Sequence, residues 1–276
     1  MTTTTIKTGR NLPAAIGVGV VLGGGVLLTL FTVKATFLIY MGAALAVALN
    51  ELSGALRHKD IAVAEVPLAA GGVAMLTCAY WLGYRGLVAA LGLTMLAVIG
   101  YRLVRGGTAG FVRDATAGVF AAIYVPFLAS FVAAMLAPSD GARRVLTFII
   151  LTICSDIGGY FAGITLGRGT RHPMAPAISP KKTWEGFVGS AAACLIAGAL
   201  TMTLLLNGKL WQGLILGAAA VVTAITGDLI ESAIKRDLDI KDMGTLLPGH
   251  GGVLDRIDSL LITAPVTWLL LVAFLH

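Results

Sequence analysis

The chain has 276 residues, of which 57% are hydrophobic and only 12% charged, with a net charge of +6. Soluble domains carry about 25% charged residues, so this composition excludes one and indicates an all-α polytopic membrane protein. There is no basic tract for a nucleic-acid partner. The three cysteines, Cys78, Cys154 and Cys194, lie in apolar runs without metal-ligand spacing, as buried thiols do.

Residues 1–13 read as a polar cytoplasmic tail with Lys7 and Arg10. The apolar run from Ala14 is about 20 residues long, longer than a secretory signal core, which predicts a retained first span. Hydropathy predicts about nine spans, at 14–33, 36–56, 66–84, 86–104, 115–137, 145–166, 187–206, 211–231 and 257–275. Each approaches the ~20 apolar residues a bilayer requires. Residues 14–137 then form an N-terminal membrane unit of five spans, and 138–276 a catalytic unit of four spans with its loops. Spans one and two join at Lys34, and spans three and four turn at Gly83–Gly86. Five of the 20 lysines and arginines (Lys34, Arg85, Arg143, Arg144 and Lys209) fall on one side, with Asp140 beside Arg143 in a solvated loop there. The other 15 share the side of the N-terminus, which is therefore expected to be cytoplasmic. Much of that excess comes from the loops after spans six and eight.

Gly17, Gly19, Gly23, Gly24 and Gly25 crowd span one, and Gly159, Gly163 and Gly167 form a ladder along span six. Both read as close helix packing, which also permits a homodimer. Asn50-Glu51 in span two suits a structural and a functional reading equally. Asp156, inside span six, is an intramembrane carboxylate and so a functional candidate. Ser179-Pro180-Lys181-Lys182-Thr183 opens span seven. Two lysines beside exposed helix amides make an anion site; the alternative is plain attraction to anionic lipid. Thr183 is placed to cap the helix, with Gly186 three residues on.

The densest chemistry lies between Gly227 and Ser259. Asp228, Glu231, Asp237, Asp239, Asp242, Asp255 and Asp258 are seven of the chain's 14 acidic residues. On a helix, Asp228, Ser232 and Lys235 share a face. Asp255 and Asp258 share another, just after Gly251-Gly252. If the two helices pack, two acidic faces meet, and carboxylates at low dielectric need a hard cation such as Mg²⁺. Lys235, Arg236, Lys241 and Arg256 would suit phosphates. Glycines let backbone approach a phosphate, and His250 beside Gly251 and Gly252 would bind one, shuttle a proton, or simply occupy a loop.

The run Ser232-x-x-Lys235-Arg236-x4-Lys241-Asp242-x-Gly244-x3-Pro248-x-His250-Gly251-Gly252-x2-Asp255-Arg256-x-Asp258 resembles the signature of the CTP:phosphatidate cytidylyltransferases, the CDP-diacylglycerol synthases. Ser179–Gly186 and Asp156 also resemble that family; the N-terminal half matches it only through hydropathy and Arg10-Asn11-Leu12-Pro13. The resemblance implies a plasma-membrane enzyme, its site facing the cytoplasm, that makes CDP-diacylglycerol and pyrophosphate from CTP and phosphatidate. It implies Asp228 and Asp255 as Mg²⁺ ligands with Asp258 contributing. One cation is the minimum, and a second would complete a clamp on the phosphates. It also implies that Asp228, Asp255, Lys235, Arg236 and His250 serve catalysis. Substrate contacts fall to Asp156, Ser179, Lys181, Lys182, Thr183, Ser232, Lys241, Asp242, Gly251, Gly252 and Arg256. Two rival readings are weaker. The D-G-x2-A-R-x8-G-x3-D-x3-D pattern of CDP-alcohol phosphatidyltransferases is absent. An ion-coupled transporter tends to show paired broken helices in two related halves, whereas the polar residues here crowd the C-terminal half.

Overall fold

The computed structural model describes residues 12–166, 172–247 and 251–275. With no water inside a bilayer, each span must satisfy its own backbone, and helices do so locally. In chain order these are α1 (Leu12–Phe31), α2 (Lys34–Arg57), α3 (Glu65–Trp81), α4 (Gly83–Gly106), α5 (Phe111–Ala122), α6 (Leu128–Leu136), α7 (Gly141–Thr165), α8 (Trp184–Leu204), α9 (Leu210–Asp237) and α10 (Leu254–Phe274). Seven rods among the described residues are long and apolar enough to cross a membrane: α2, α4, the continuous Phe111–Leu136 rod, and α7 to α10. The α3 helix has 17 residues, and Gly19–Phe31 of α1 is a shorter apolar helix. The nine expected spans correspond to these seven together with α1 and α3.

Two local departures from regular helix matter. Between α5 and α6 the chain winds as a π-helical turn, Ile123–Phe127, with Pro126 inside it. Proline lacks an N–H and its ring clashes with the carbonyl four residues back, and a widened turn accommodates both defects. The second departure precedes α8. The loop expected there contains a two-stranded antiparallel hairpin, β1 (Pro173–Ala175) and β2 (Ser179–Thr183), so the chain is not wholly α-helical. Lys181 and Lys182 thus lie on a strand, whose alternation separates them: Lys181 is exposed and Lys182 half-buried. Thr183 then caps α8, accepting the Gly186 N–H at 3.2 Å.

In the C-terminal half, α8 packs between α7 and α9, and α9 packs against α10. Glycines set the closest approaches. A Cβ on Gly158 would stand 2.6 Å from the Gly189 carbonyl oxygen, so α7 and α8 touch backbone to backbone. A Cβ on Gly227 would stand 2.6 Å from the Asp258 carbonyl oxygen. The glycine before Asp228 therefore lets the two acidic helices lie side by side. The ladder expected on span six is only partly used. Gly159 packs tightly on Ser190, Gly163 has nothing nearer than 3.9 Å, and Gly167 lies outside the described residues. Span one departs further. Gly17, Gly19, Gly23 and Gly24 meet no described atom within 4 Å, and only Gly25 packs, against Tyr40.

Ion pairs lace the loops at one end of the bundle. Lys59, after α2, pairs with Asp239, after α9, and this hydrogen-bonded ammonium holds the Asp239 carboxyl below the usual carboxylate range. Arg102 and Arg113 both bond to the buried Asp114, at 2.9 Å each. At the opposite end Lys34 donates to the carbonyls of Ala137 and Pro138. The three cysteines are free thiols, as expected, but only Cys194 is fully buried; Cys78 and Cys154 are half-buried.

Candidate active site

Helices α9 and α10 carry the acids, and α7 adds Asp156. Asp156, Asp228, Glu231, Asp255 and Asp258 line one cavity of about 260 Å³ with Lys235, Asp242, Arg256 and Ser259. The helical spacing expected for Asp228 and Ser232 holds, with the serine hydroxyl 3.4 Å from Asp228 Oδ1. Asp228 Oδ2 receives the Lys182 ammonium at 2.7 Å, and the same ammonium donates to the Ile225 carbonyl at 3.2 Å. Lys182 therefore crosses from the hairpin to α9.

Lys235 does not stay with Asp228. It bridges Glu231, one turn back on α9, and Asp255 Oδ1 on α10 at 2.9 Å. Asp255 is the most heavily bonded carboxylate of the group. Beyond Lys235 it accepts the Gly252 N–H at 2.7 Å and the Met243 N–H at 3.0 Å. A carboxylate offers about four lone-pair sites, so a cation at Asp255 has to displace a donor already there. Asp258 is buried, and its Oδ1 accepts the Ser259 N–H at 2.7 Å.

The donor set suits a hard divalent cation, since every acid offers oxygen. Glu231 is 1% exposed, and its Oε1 has no hydrogen-bond partner, an orphaned acceptor that a cation or a donor would satisfy. Among the described residues, however, no three such groups are already gathered at coordination distance. The chemistry fits a cation, while the carboxylates stand apart and must close on it.

Two further cavities adjoin this one. Asp156 and Asp228 also line a cavity of about 290 Å³ with Ser155, Lys181, Lys182, Thr183 and Ser190, beside Tyr160 and Phe187. Asp242 also lines a cleft of about 580 Å³ at the end of α2, formed with Asn50, Glu51, Arg57 and His58 and with the apolar Ile240, Met243 and Leu246. The remaining sequence candidates fall elsewhere. Arg236 is exposed and reaches the Ile178 carbonyl in the hairpin turn at 3.5 Å. Ser179 begins β2 and Lys241 is exposed after α9. Gly251 has a φ of +83°, which glycine adopts without strain. The Gly252 N–H is already committed to Asp255. His250 lies outside the described residues.

Two residues that sequence reasoning did not place hold the site together. Glu231 was one of seven acids in the stretch, but only packing shows it facing Asp258. Glu51, left open between structure and function, accepts the N–H groups of Val253 and Leu254 at 3.0 and 2.8 Å. It caps the first turn of α10 from α2, where a negative charge opposes the helix dipole favourably.

The chain matches the model of the cytidylyltransferase family over residues 13–274. It is 40% identical to a phosphatidate cytidylyltransferase of Mycobacterium leprae, over 98% of this chain and 90% of that protein. The phosphatidate cytidylyltransferase of Mycobacterium tuberculosis H37Rv is 38% identical over 98% of this chain and 85% of its own length. One from Staphylococcus saprophyticus is 38% identical over 49% of this chain and 51% of that protein. The mycobacterial matches extend through the N-terminal half, where the motifs gave only weak resemblance. With a family match spanning nearly the whole chain, this protein belongs to the cytidylyltransferase family.

Proposed function

We propose that the chain transfers a cytidylyl group from CTP to phosphatidate, giving CDP-diacylglycerol and pyrophosphate, with Mg²⁺ as the divalent cation. The observation that carries this reading is the acidic cavity flanked by two others, one sharing Asp156 and Asp228 with it and the other Asp242. A two-substrate transfer at a membrane needs that arrangement. The lysine-lined cavity has aromatic walls and suits the lipid phosphate. The cleft at the end of α2, with Asn50, Arg57 and His58 on its wall, suits the nucleotide.

A phosphatidate oxygen attacks the α-phosphorus of CTP, and the α–β phosphoanhydride bond breaks to release pyrophosphate. The attacking phosphate is anionic at neutral pH, so no strong base is needed, and catalysis is positioning plus charge neutralisation. Lys182, with Lys181 at the cavity mouth, holds the lipid phosphate. Asp228 and Asp258 would hold the cation, with Asp255 joining as Lys235 leaves it. Lys235 and Arg256 then face the pyrophosphate as it departs. The bound cation supplies charge neutralisation across the phosphates. Arg236, in the last turn of α9, and Lys241 after it would attend the phosphates together with His250, and Asp242 borders the nucleotide.

The charge asymmetry of the loops supports a plasma-membrane protein with this site at the cytoplasmic face. The purified protein in neutral detergent should convert labelled CTP and phosphatidate into a labelled lipid with the mobility of CDP-diacylglycerol. No labelled lipid at saturating Mg²⁺ or Mn²⁺ would overturn the reaction. Orientation has its own measurement in cells. A Lys181→Cys variant should be labelled from the cytoplasm and a Ser139→Cys variant from outside; the reverse pattern removes the site from CTP.

A further inference from the structure

Tyr124 lies on the π-helical turn, 3% exposed, with its ring stacked on Phe120 at 5.3 Å. Its hydroxyl has no hydrogen-bond partner. The carboxylates within electrostatic reach of it are Glu231, Asp258 and Asp228, all members of the acidic cluster. Among the described residues four buried side-chain polar atoms lack partners, and Glu231 Oε1 is another of them. An orphaned donor thus lies within electrostatic reach of the cluster, and an orphaned oxygen belongs to one of its members, Glu231, whose carboxyl also meets Asp258. Leaving a buried polar group unsatisfied costs about 1–3 kcal/mol, so a tyrosine kept only for packing would be better as phenylalanine. The widened turn adds a residue to the helix and re-aims the side chains on it, and such turns recur at functional sites.

We propose that Tyr124 is a positioning residue for the acidic cluster. Its hydroxyl donates to the free oxygen of Glu231, directly or through one water, as the carboxylates close on a divalent cation. This fixes Glu231 against its neighbour Asp258, and so which oxygen of Asp258 faces the cation. A phenol suits the task because it is a neutral donor. Lys235 also orients Glu231, but its positive charge opposes a cation. The inference rests on the reading of this cavity as a cation site. It extends that site to the widened turn between α5 and α6, beside the Glu51 cap that α2 already supplies to α10.

The test uses the full protein in neutral detergent, titrated with MgCl2 or MnCl2 alone, with the thermal unfolding midpoint as readout. Without cation, Tyr124→Phe should unfold at or above the wild-type temperature. The cation concentration giving half of the midpoint rise should increase roughly ten- to hundredfold, as for loss of an outer donor to a ligand. Glu231→Gln should raise it similarly, and the double variant should add little, since both remove one interaction. In turnover, Tyr124→Phe should lower kcat with little change in KM for phosphatidate. Titrations of wild type and Tyr124→Phe agreeing within twofold would overturn the proposal, as would a wild type that shows no rise with either cation. Additive effects in the double variant would also overturn it. If Tyr124→Phe does not fold, the Glu231→Gln titration decides, and a wild-type curve there refutes the pairing. A shifted titration in a protein that makes no CDP-diacylglycerol would sink the proposed reaction and leave the positioning role intact.

Discussion

Asp228→Asn is expected to lower turnover by about 10²–10³, the range for removing one preorganised electrostatic contact to a transition state. Asp228 stands where the acidic cavity and the lysine-lined cavity meet. It pairs with Lys182 across that boundary. Neutralising it removes a cation ligand and releases the lysine that would hold the lipid phosphate. Asp258→Asn should show a loss of the same order. Asp255→Asn should differ in kind. Its carboxylate ties Lys235 and the Met243 and Gly252 amides, so this variant should lose thermal stability as well as turnover. All three should insert and purify. The measurement is initial rate with saturating substrates across a Mg²⁺ series. Turnover like wild type in Asp228→Asn at saturating Mg²⁺ would remove Asp228 from the site.

The second large effect separates the two lysines. Lys182 is half-buried and bonded to Asp228, whereas Lys181 is exposed at the cavity mouth. If Lys182 holds a substrate phosphate, Lys182→Ala should cost about 1.5–3 kcal/mol, as for a hydrogen bond to a charged group. That is roughly ten- to hundredfold in kcat/KM for phosphatidate. Lys181→Ala should cost less. Lys182→Arg should rescue only in part, because a planar fork does not replace a compact ammonium between Asp228 and the Ile225 carbonyl. Attraction to anionic lipid alone is worth about 1 kcal/mol per lysine, and it should vanish in neutral detergent. Losses below threefold for both substrates, in both alanine variants, would place the pair outside the site.

Much of this arrangement was legible in the sequence, for definite reasons. Apolar runs fix the spans because a bilayer demands about 20 such residues, and helix boundaries fell close to those expected. The spacing of Asp228 and Ser232 fixed their shared face, and Thr183 followed from capping chemistry. The hairpin before α8 was hidden because three- and five-residue strands carry too little periodicity to register. The π-helical turn was equally silent. Neither Pro126 nor Tyr124 stood out within an apolar span, and only the structure shows the widened turn that carries them. Lys235 illustrates the remaining limit. It lies on the Asp228 face two turns along α9, yet its bridge from Glu231 to Asp255 depends on how α10 docks. Glu51 is the extreme case, for its partners lie 202 and 203 residues away.

That separation has a consequence for how the protein is made. Glu51 leaves the ribosome long before Val253 and Leu254 exist. At 5–20 residues per second, the wait is on the order of 10–40 s. During it α2 can enter the bilayer with a carboxylate still lacking the amides it will cap. Only α10 supplies those amides, and with them Asp255 and Asp258. The site therefore assembles only once α10 has been made, and a nascent chain that stalls before α10 holds the lysines and Asp228 but no closed acidic cavity. A ribosome arrested a few residues short of Val253 should carry an inserted, inactive bundle.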